Sequence, residues 1–488
     1  GSSPVIRTSK TLISVLPGLT FLFCTASGQK FRQREMECMP AKATLMTEGS
    51  IEKHLISFAV PLFLGNLFQQ LYNTADSLIV GNFLGSEALA SVSSSSNLIF
   101  LMIGFFNGIA VGAGVVIARA FGAGDKKALH TAIHTTIAFG LVAGVVLTLL
   151  GVLLAPQILV WMGTPESILA GSVSYFRIYF LGSIPFVLYN ICVGILQSVG
   201  DSRHPLYYLM VSSVVNILLD LLFVAGFKMG VGSAAAATAI SQLVSAALCF
   251  IRLCRTDDVY RVTLRDIRFD IPMLGKIIRN GLPAGCQNSI IAFANVIVQT
   301  NINAFGEIAV AGQGVYAKIE GFGFLPITCF AMALTTFISQ NLGAGEYDRA
   351  KKGARFGILC SMAIAEIIGL AIFLGAPFLM WLFDRNPDVI ASGVGRAQAD
   401  CLFYFLLAFS HCIAGIMRGA GKASVPMVVM LISWCVIRVA YITVAIRFIP
   451  SIQIIYWAYP ITWAISSVIF LVYFLKSDWL HAYDRAKA

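Results

Sequence analysis

Five carboxylic acids interrupt long apolar stretches of this chain: Asp76, Asp220, Glu320, Glu366 and Asp400, with Arg438 as the main basic counterpart. A carboxylate in such a setting is costly unless it is paired, hydrated or protonated, so each needs a reason. Asp76 stands in QLYNTADSLIVGNFLG with Asn73 and Gln69 on the same helical face, three and seven residues back. Asn216 and Asp220 are four apart and also face one way. Asn190 and Thr238 are further polar residues in spans of the same half. Two acids held together where the dielectric is low favour taking up a proton. With an amide oxygen and a hydroxyl they also form a set of hard oxygen ligands for Na⁺. Residue types alone leave the choice between H⁺ and Na⁺ open.

The remaining polar residues have plainer readings. Isolated Ser, Thr, Asn and Gln in apolar helices ordinarily act as packing contacts, and the SVSSSS run at 91–96 is read that way. Glu320, in KIEGFGFLP, is either a cavity-lining substrate contact or half of a pair with Lys318. Glu366 and Arg438 are either paired or separate, and His411 is expected to be a hydrogen-bonded helix contact rather than a proton relay. The GAG turns at 122–124 and 343–345 lack the Lys-Ser/Thr of a phosphate loop. Eleven scattered cysteines without a CxxC pair argue against a metal site or a disulfide framework. No cofactor and no nucleophilic constellation is indicated, so an enzyme is not expected.

The elements that must position these acids are membrane helices. The chain is 58% hydrophobic and 12% charged, with a mean hydropathy of +0.82. Runs such as Thr131–Ala155, Leu206–Gly226 and Ile452–Leu475 each reach roughly the 20 residues that cross hydrocarbon. Continuous rather than alternating apolarity selects helices over barrel strands. Apolar runs give six spans near 55–80, 88–117, 131–155, 171–196, 206–226 and 232–251. Six more follow near 276–303, 309–338, 353–376, 397–417, 426–448 and 452–475.

The two sets are copies. LGSEALA (84–90) matches FGEIAVA (305–311), FGAGDKKA (121–128) matches LGAGEYDRA (342–350), and GILQSVGDSRHP (194–205) matches GIMRGAGKASVP (415–426). All three share an offset of 221 (306 − 85), while Pro61 and Pro283 match with one further residue of slip. Six spans per copy make the repeats parallel, related by an axis along the membrane normal. At the 221 offset Asp76 faces Ile297, Asn216 faces Ile437 and Asp220 faces Tyr441, so only the first copy carries this acid set. The expected fold is an all-α integral membrane protein of twelve spans in two pseudo-symmetric lobes. An N-terminal extension (1–45) precedes the first lobe (46–254), then come a linker (255–275), the second lobe (276–476) and a tail (477–488). Residues 11–26 of the extension faintly resemble a signal peptide.

Net charge is +10, which membrane topology accounts for without any nucleic-acid partner. Connections after even-numbered spans carry Arg119, Lys126, Lys127, Arg203, the Arg252–Arg268 cluster, Arg349, Lys351, Lys352, Arg355, Arg418 and Lys422. Those after odd-numbered spans carry little beyond Lys228, Arg385 and Arg447. Both termini are therefore expected in the cytoplasm.

At this point the sequence resembles the multidrug and toxic compound extrusion (MATE) family. The resemblance rests on FAVPLFLGNLFQQLYNTADSLIVGNFLG (58–85), ARAFGAGD (118–125), GILQSVGDSRHP (194–205), NILLDLLFVAG (216–226), KIEGFGFLP (318–326), SQNLGAGE (339–346) and GIMRGAGKASVP (415–426). It runs from Met46 to about Leu475. It implies two six-helix lobes around a central cavity that opens alternately to either side. It also implies a monomer in the bacterial plasma membrane that exports organic, often cationic, lipophilic compounds against an inward flow of H⁺ or Na⁺. In similar members an Asp of the first helix joins Asn, Asp and Thr of the fifth and sixth helices and an Asn of the fourth in a cation-coupling site. That pattern maps onto Asp76, Asn216, Asp220, Thr238 and Asn190. Other members use a Glu of the seventh helix and an Asp of the tenth. Here the seventh offers Gln287, and the tenth reads FYFLLAFSHCIAG, without an acid near its centre, which points to first-lobe coupling. Gln69, Tyr72, Asn73, Phe68, Phe105, Glu320, Phe324 and Met332 are the expected lining of the substrate cavity. The competing readings are a lipid-linked saccharide flippase, which favours a strongly cationic cavity, and a membrane enzyme acting on lipid, which needs a nucleophile or metal cluster. An ordinary major-facilitator exporter shares the parallel repeats but fits the GAGD and GDSRHP connections less well.

Overall fold

The computed structural model describes residues 45–162 and 164–482. The expected extension falls almost wholly outside these residues, as does the end of the expected tail. Among the described residues all regular structure is helical. Eleven helices are long and apolar enough to cross a membrane, and the pair Glu166–Leu181 and Ser183–Ser198, bent by 49°, forms a twelfth as a broken span. The helices outrun the apolar stretches because caps, not hydropathy, set their ends. The first span runs Ile51–Leu84 rather than 55–80: the Ser50 side chain accepts from Lys53 N, and Gly85 takes φ 86 beyond the last turn.

The repeat is visible in the backbone. The left-handed glycines Gly85, Gly124 and Gly200 recur as Gly306, Gly345 and Gly421, each at the sequence offset. The broken fourth span starts its halves at Glu166 and Ser183, and the tenth starts at Pro387 and resumes as an α-helix at Tyr404, again in step. Two spans leave that register. The seventh, Ile271–Asn303, is one unbroken helix, so the slip established at Pro61 and Pro283 persists along it. Val298, not Ile297, therefore stands opposite Asp76. The eleventh opens into a π turn at Leu431–Ile437, which accommodates one extra residue. The fifth span has its π turn at Leu221–Gly226, after Asp220, too late to cancel the shift at the acids. Arg438 rather than Ile437 is thus the counterpart of Asn216, and Ile442 rather than Tyr441 that of Asp220. A constant offset cannot reveal a bulge, and this one moves a positive charge into a position expected to be apolar.

Glycines let the two halves approach. A Cβ on Gly281 of the seventh span would lie 2.6 Å from Ile109 Cα of the second, and one on Gly285 would lie 2.6 Å from Phe105 O. Gly108 and Gly112 oppose them, a small-xxx-small crossing. The two GAG turns also meet: a Cβ on Gly122 would fall 2.6 Å from the Gln340 carbonyl carbon, and one on Gly343 would fall 3.0 Å from that of Arg119. Gln340 ties this end further, accepting from Met46 N (2.9 Å) and donating to Ser198 O (2.8 Å). The end that carries the GAG turns is closed.

Candidate functional site

The first span packs along the fifth, and the fifth along the sixth. That packing brings the Asp76 and Asp220 carboxyls within hydrogen-bonding reach of each other. Asp220 is fully buried, as is Asn216 within 1%. Asp76 Oδ1, both Asp220 oxygens and both Asn216 amide atoms are buried without a hydrogen-bond partner. An ionised carboxylate only accepts, so two of them in contact repel unless a proton or another cation lies between. Among the described residues no basic side chain acts on either acid. Tyr175 and Tyr179 stack at 6.2 Å and stand near Asp76, while Tyr72 lies close to the Gln69 and Gln242 side chains. Asp220 ends its α-helix where the π turn begins, a break often found at functional positions.

Not all expected partners join this pair. Thr238 Oγ1 donates to Ala234 O (3.1 Å) and Asn190 Nδ2 to Phe186 O (2.8 Å), both within their own helices. Neither hydrogen-bonds an acid. Asn73 shares the face of Asp76 but is exposed, and Gln69 faces Tyr72 instead.

The second lobe holds a cluster that sequence reasoning missed. The tenth span runs from Pro387 to Gly419, so Asp400 lies near its centre and corrects the expectation that this helix has no central acid. Asp400 Oδ2 is 2.6 Å from Arg396 Nε, with both side chains fully buried. The Arg396 guanidinium lies 3.6 Å from the Tyr459 ring centroid, and that of Arg438 lies 4.2 Å from the same ring. Arg438 also donates from Nε (3.1 Å) and Nη2 (2.9 Å) to Thr462 Oγ1. Glu320 is close enough to feel both arginines. Starting the tenth span at 397 left Arg396 outside it. The available signal was the Arg396/Asp400 spacing of four, which places the two on one helical face.

Several single expectations change accordingly. Lys318 does not pair with Glu320; it is exposed and reaches over the Phe383 ring (5.8 Å). Glu366 does not pair with Arg438; it lies near the Phe405 backbone, with Oε2 buried and unpartnered. His411 is an aromatic contact rather than a hydrogen-bonded one: it sits 4.9 Å from Phe324 and 5.4 Å from Trp434, with Nε2 unpartnered. Gln287 is buried and donates to Met430 Sδ (2.8 Å). Phe105 backs onto Gly285, and Phe324 and Met332 are half-buried against the second-lobe core.

One metal-like cluster also appears, where none was expected from the sequence. The ligand atoms of His130, His134 and Asp266 lie within 4.8 Å of one another. His134 is already committed, however. Its Nδ1 contacts His130 O (2.7 Å) and its Nε2 accepts from Thr263 N (3.0 Å), so it clamps the connection between the lobes.

The sequence and fold have relatives. The MatE family model matches residues 61–222 and 283–444, one segment in each half. The chain is 29% identical over 440 residues to the probable multidrug resistance protein YoeA of Bacillus subtilis, covering 88% of this chain and 94% of that one. It is 26% identical to the probable multidrug resistance protein NorM of Thermotoga maritima, covering 88% and 93%. A crystal structure of MATE in complex with MaL6 superposes with a TM-score of 0.85 at 23% identity, covering 92% of this chain and all of that one. The two matched segments, which between them take in more than half of the chain, make it a member of the MatE family: a multi-span membrane transporter, not an enzyme.

Proposed function

We propose that this protein is a secondary active multidrug exporter that works by alternating access, with H⁺ as the preferred coupling ion and Na⁺ as the alternative. The observation that carries the reading is the Asp76–Asp220 pair. Asp220 is fully buried, Asp76 is half-buried with its Oδ1 enclosed, and the two are in reach of each other. No donor meets these enclosed oxygens, and among the described residues no basic side chain acts on either acid. A single proton between the two carboxyls turns repulsion into a hydrogen bond, so protonation and the helix packing that closes the pair are linked. An ion shifts a conformational equilibrium only through differential affinity for the two states. Here the closed pair holds the proton, and separation of the first and fifth spans releases it. The unpartnered amide of Asn216 is the further ligand that a Na⁺ ion at this place needs.

The relatives named as probable multidrug resistance proteins support drugs as cargo. Tyr72, Phe105, Glu320, Phe324 and Met332 are assigned to the wall that meets them, since aromatic faces and a carboxylate attract organic cations. The basic connections support a cytoplasmic side for both termini and the GAG end; on that reading the contact between the GAG turns closes the molecule toward the cytoplasm. The protein acts as a monomer of two lobes; because the seventh span already begins at Ile271, the linker expected at 255–275 ends at Asp270 and the second lobe starts there rather than at 276. A flippase reading gains little, because the two second-lobe arginines are matched by Asp400 and Glu320.

The test is efflux of a fluorescent organic cation from vesicles, with pH and Na⁺ gradients imposed separately. Asp76→Asn is expected to abolish gradient-driven efflux while the protein still inserts and melts normally. Undiminished coupled efflux in that variant refutes the site, and stimulation by a Na⁺ gradient alone refutes proton coupling.

A further inference from the structure

Both lobes bury a polar cluster at the same place in the repeat, but with opposite charge logic. In register, Tyr175 corresponds to Arg396 and Tyr179 to Asp400, because the fourth and tenth spans begin and resume in step. Past the π turn of the eleventh span, Asn216 corresponds to Arg438. The first-lobe cluster therefore has two acids, two tyrosines and an amide, with no cation. The second-lobe cluster has two acids, Glu320 and Asp400, and two guanidiniums in the places of a tyrosine and the amide. Arg396 contacts Asp400 directly, and Arg396 and Arg438 both contact the Tyr459 ring. Tyr316 and Tyr456 each lie 5.6 Å from the Arg396 guanidinium, enclosing it further.

We propose that Arg396 and Arg438 are tethered cations that permanently fill, in the second lobe, the role a mobile cation takes transiently in the first, closing Glu320 and Asp400 to H⁺ and Na⁺. This rests on the reading of Asp76 and Asp220 as the coupling pair. Arginine holds its charge at any physiological pH, so the second-lobe acids keep their counter-ions throughout a cycle. At an effective dielectric of about 20, a fixed positive charge some 4 Å away weakens binding of a second cation by on the order of a thousandfold. One lobe then exchanges ions with solution and the other does not. The chain carries one coupling site although each lobe encloses two acids. The arginines set that number.

The experiment counts cations bound by the purified full chain in detergent, using proton uptake in weakly buffered solution and radioactive Na⁺ as separate probes. The double variant Asp76→Asn/Asp220→Asn is expected to lose the wild-type uptake. Adding Arg396→Gln to it is expected to restore uptake of about one cation per chain, whereas Arg396→Lys, which keeps a tethered charge, restores none. Arg438→Gln serves as the second opening variant should Arg396→Gln fail to fold. The proposal is overturned if folded opening variants, checked by thermal melting, take up no more than the double variant; the arginines are then structural. Uptake that survives Asp76→Asn/Asp220→Asn unchanged refutes the first-lobe reading instead. If that uptake disappears on adding Asp400→Asn, the second lobe is the open one and both ideas fall.

Discussion

Replacing Gly122 by alanine tests the closed end of the molecule with one carbon atom. The new Cβ would sit 2.6 Å from the Gln340 carbonyl carbon, and nearer still to its oxygen. Ordinary contact begins at 3.4 Å, so the facing turns must part by at least 0.8 Å (3.4 − 2.6). The obstacle is backbone, which cannot rotate away as a side chain can. Gly122 ends the second span as a helical residue, where alanine is the better helix former by roughly 1 kcal/mol. The second span by itself is therefore not destabilised; the penalty falls on the contact between the turns. Overpacking of this kind costs about 1–3 kcal/mol, which lowers the population of the closed state by roughly 5- to 150-fold at 1.4 kcal/mol per decade. Hydrogen exchange read by mass spectrometry on peptides covering 119–127 and 340–348 measures this directly. Both peptides are expected to exchange faster by that factor, while peptides from the third and ninth spans stay unchanged. Equal protection in wild type and variant would refute the view that these turns seal one end.

Arg396→Ala removes the buried counter-ion in direct contact with Asp400 and is expected to cost about 3–5 kcal/mol, read as a large drop in melting temperature in detergent. An unchanged melt would mean the pair is hydrated rather than enclosed. Arg349 donates to the carbonyls of Met46 (3.0 Å), Gly49 (2.7 Å) and Glu48 (2.8 Å), so Arg349→Ala should release this segment and raise proteolysis or exchange at 46–50. Retained protection there would leave the Met46 N–H bond to Gln340 and the bond that Asn341 Nδ2 donates to Met46 O (3.3 Å) as the real anchor. Since both His134 ring nitrogens are engaged, added Zn²⁺ should leave exchange in 260–270 unchanged, whereas His134→Ala should accelerate it. Zinc-dependent protection would instead make His130, His134 and Asp266 a metal site.

The sequence alone determined the solvent, the element type and the repeat. Composition put the chain in lipid, lipid demanded helices, and matched turns at one offset divided those helices into two copies; all of this is encoded locally or in long-range likeness of short motifs. It also singled out Asp76 and Asp220, because an acid inside an apolar run stands out wherever it packs. The tertiary structure decided which polar groups meet. Nothing local says that the first span lies along the fifth, so contact between the two acids needed the fold, as did the separate bonding of Thr238 and Asn190. The second-lobe cluster was hidden for two physical reasons. Hydropathy ended the tenth span short of Arg396, although the helix continues to its cap at Asn386. A π turn in the eleventh span shifted Arg438 by one residue into the place of Asn216. Such a bulge leaves no mark in composition or periodicity, because it is paid for by contacts with other spans, and only their packing reveals that one lobe brings its own cations.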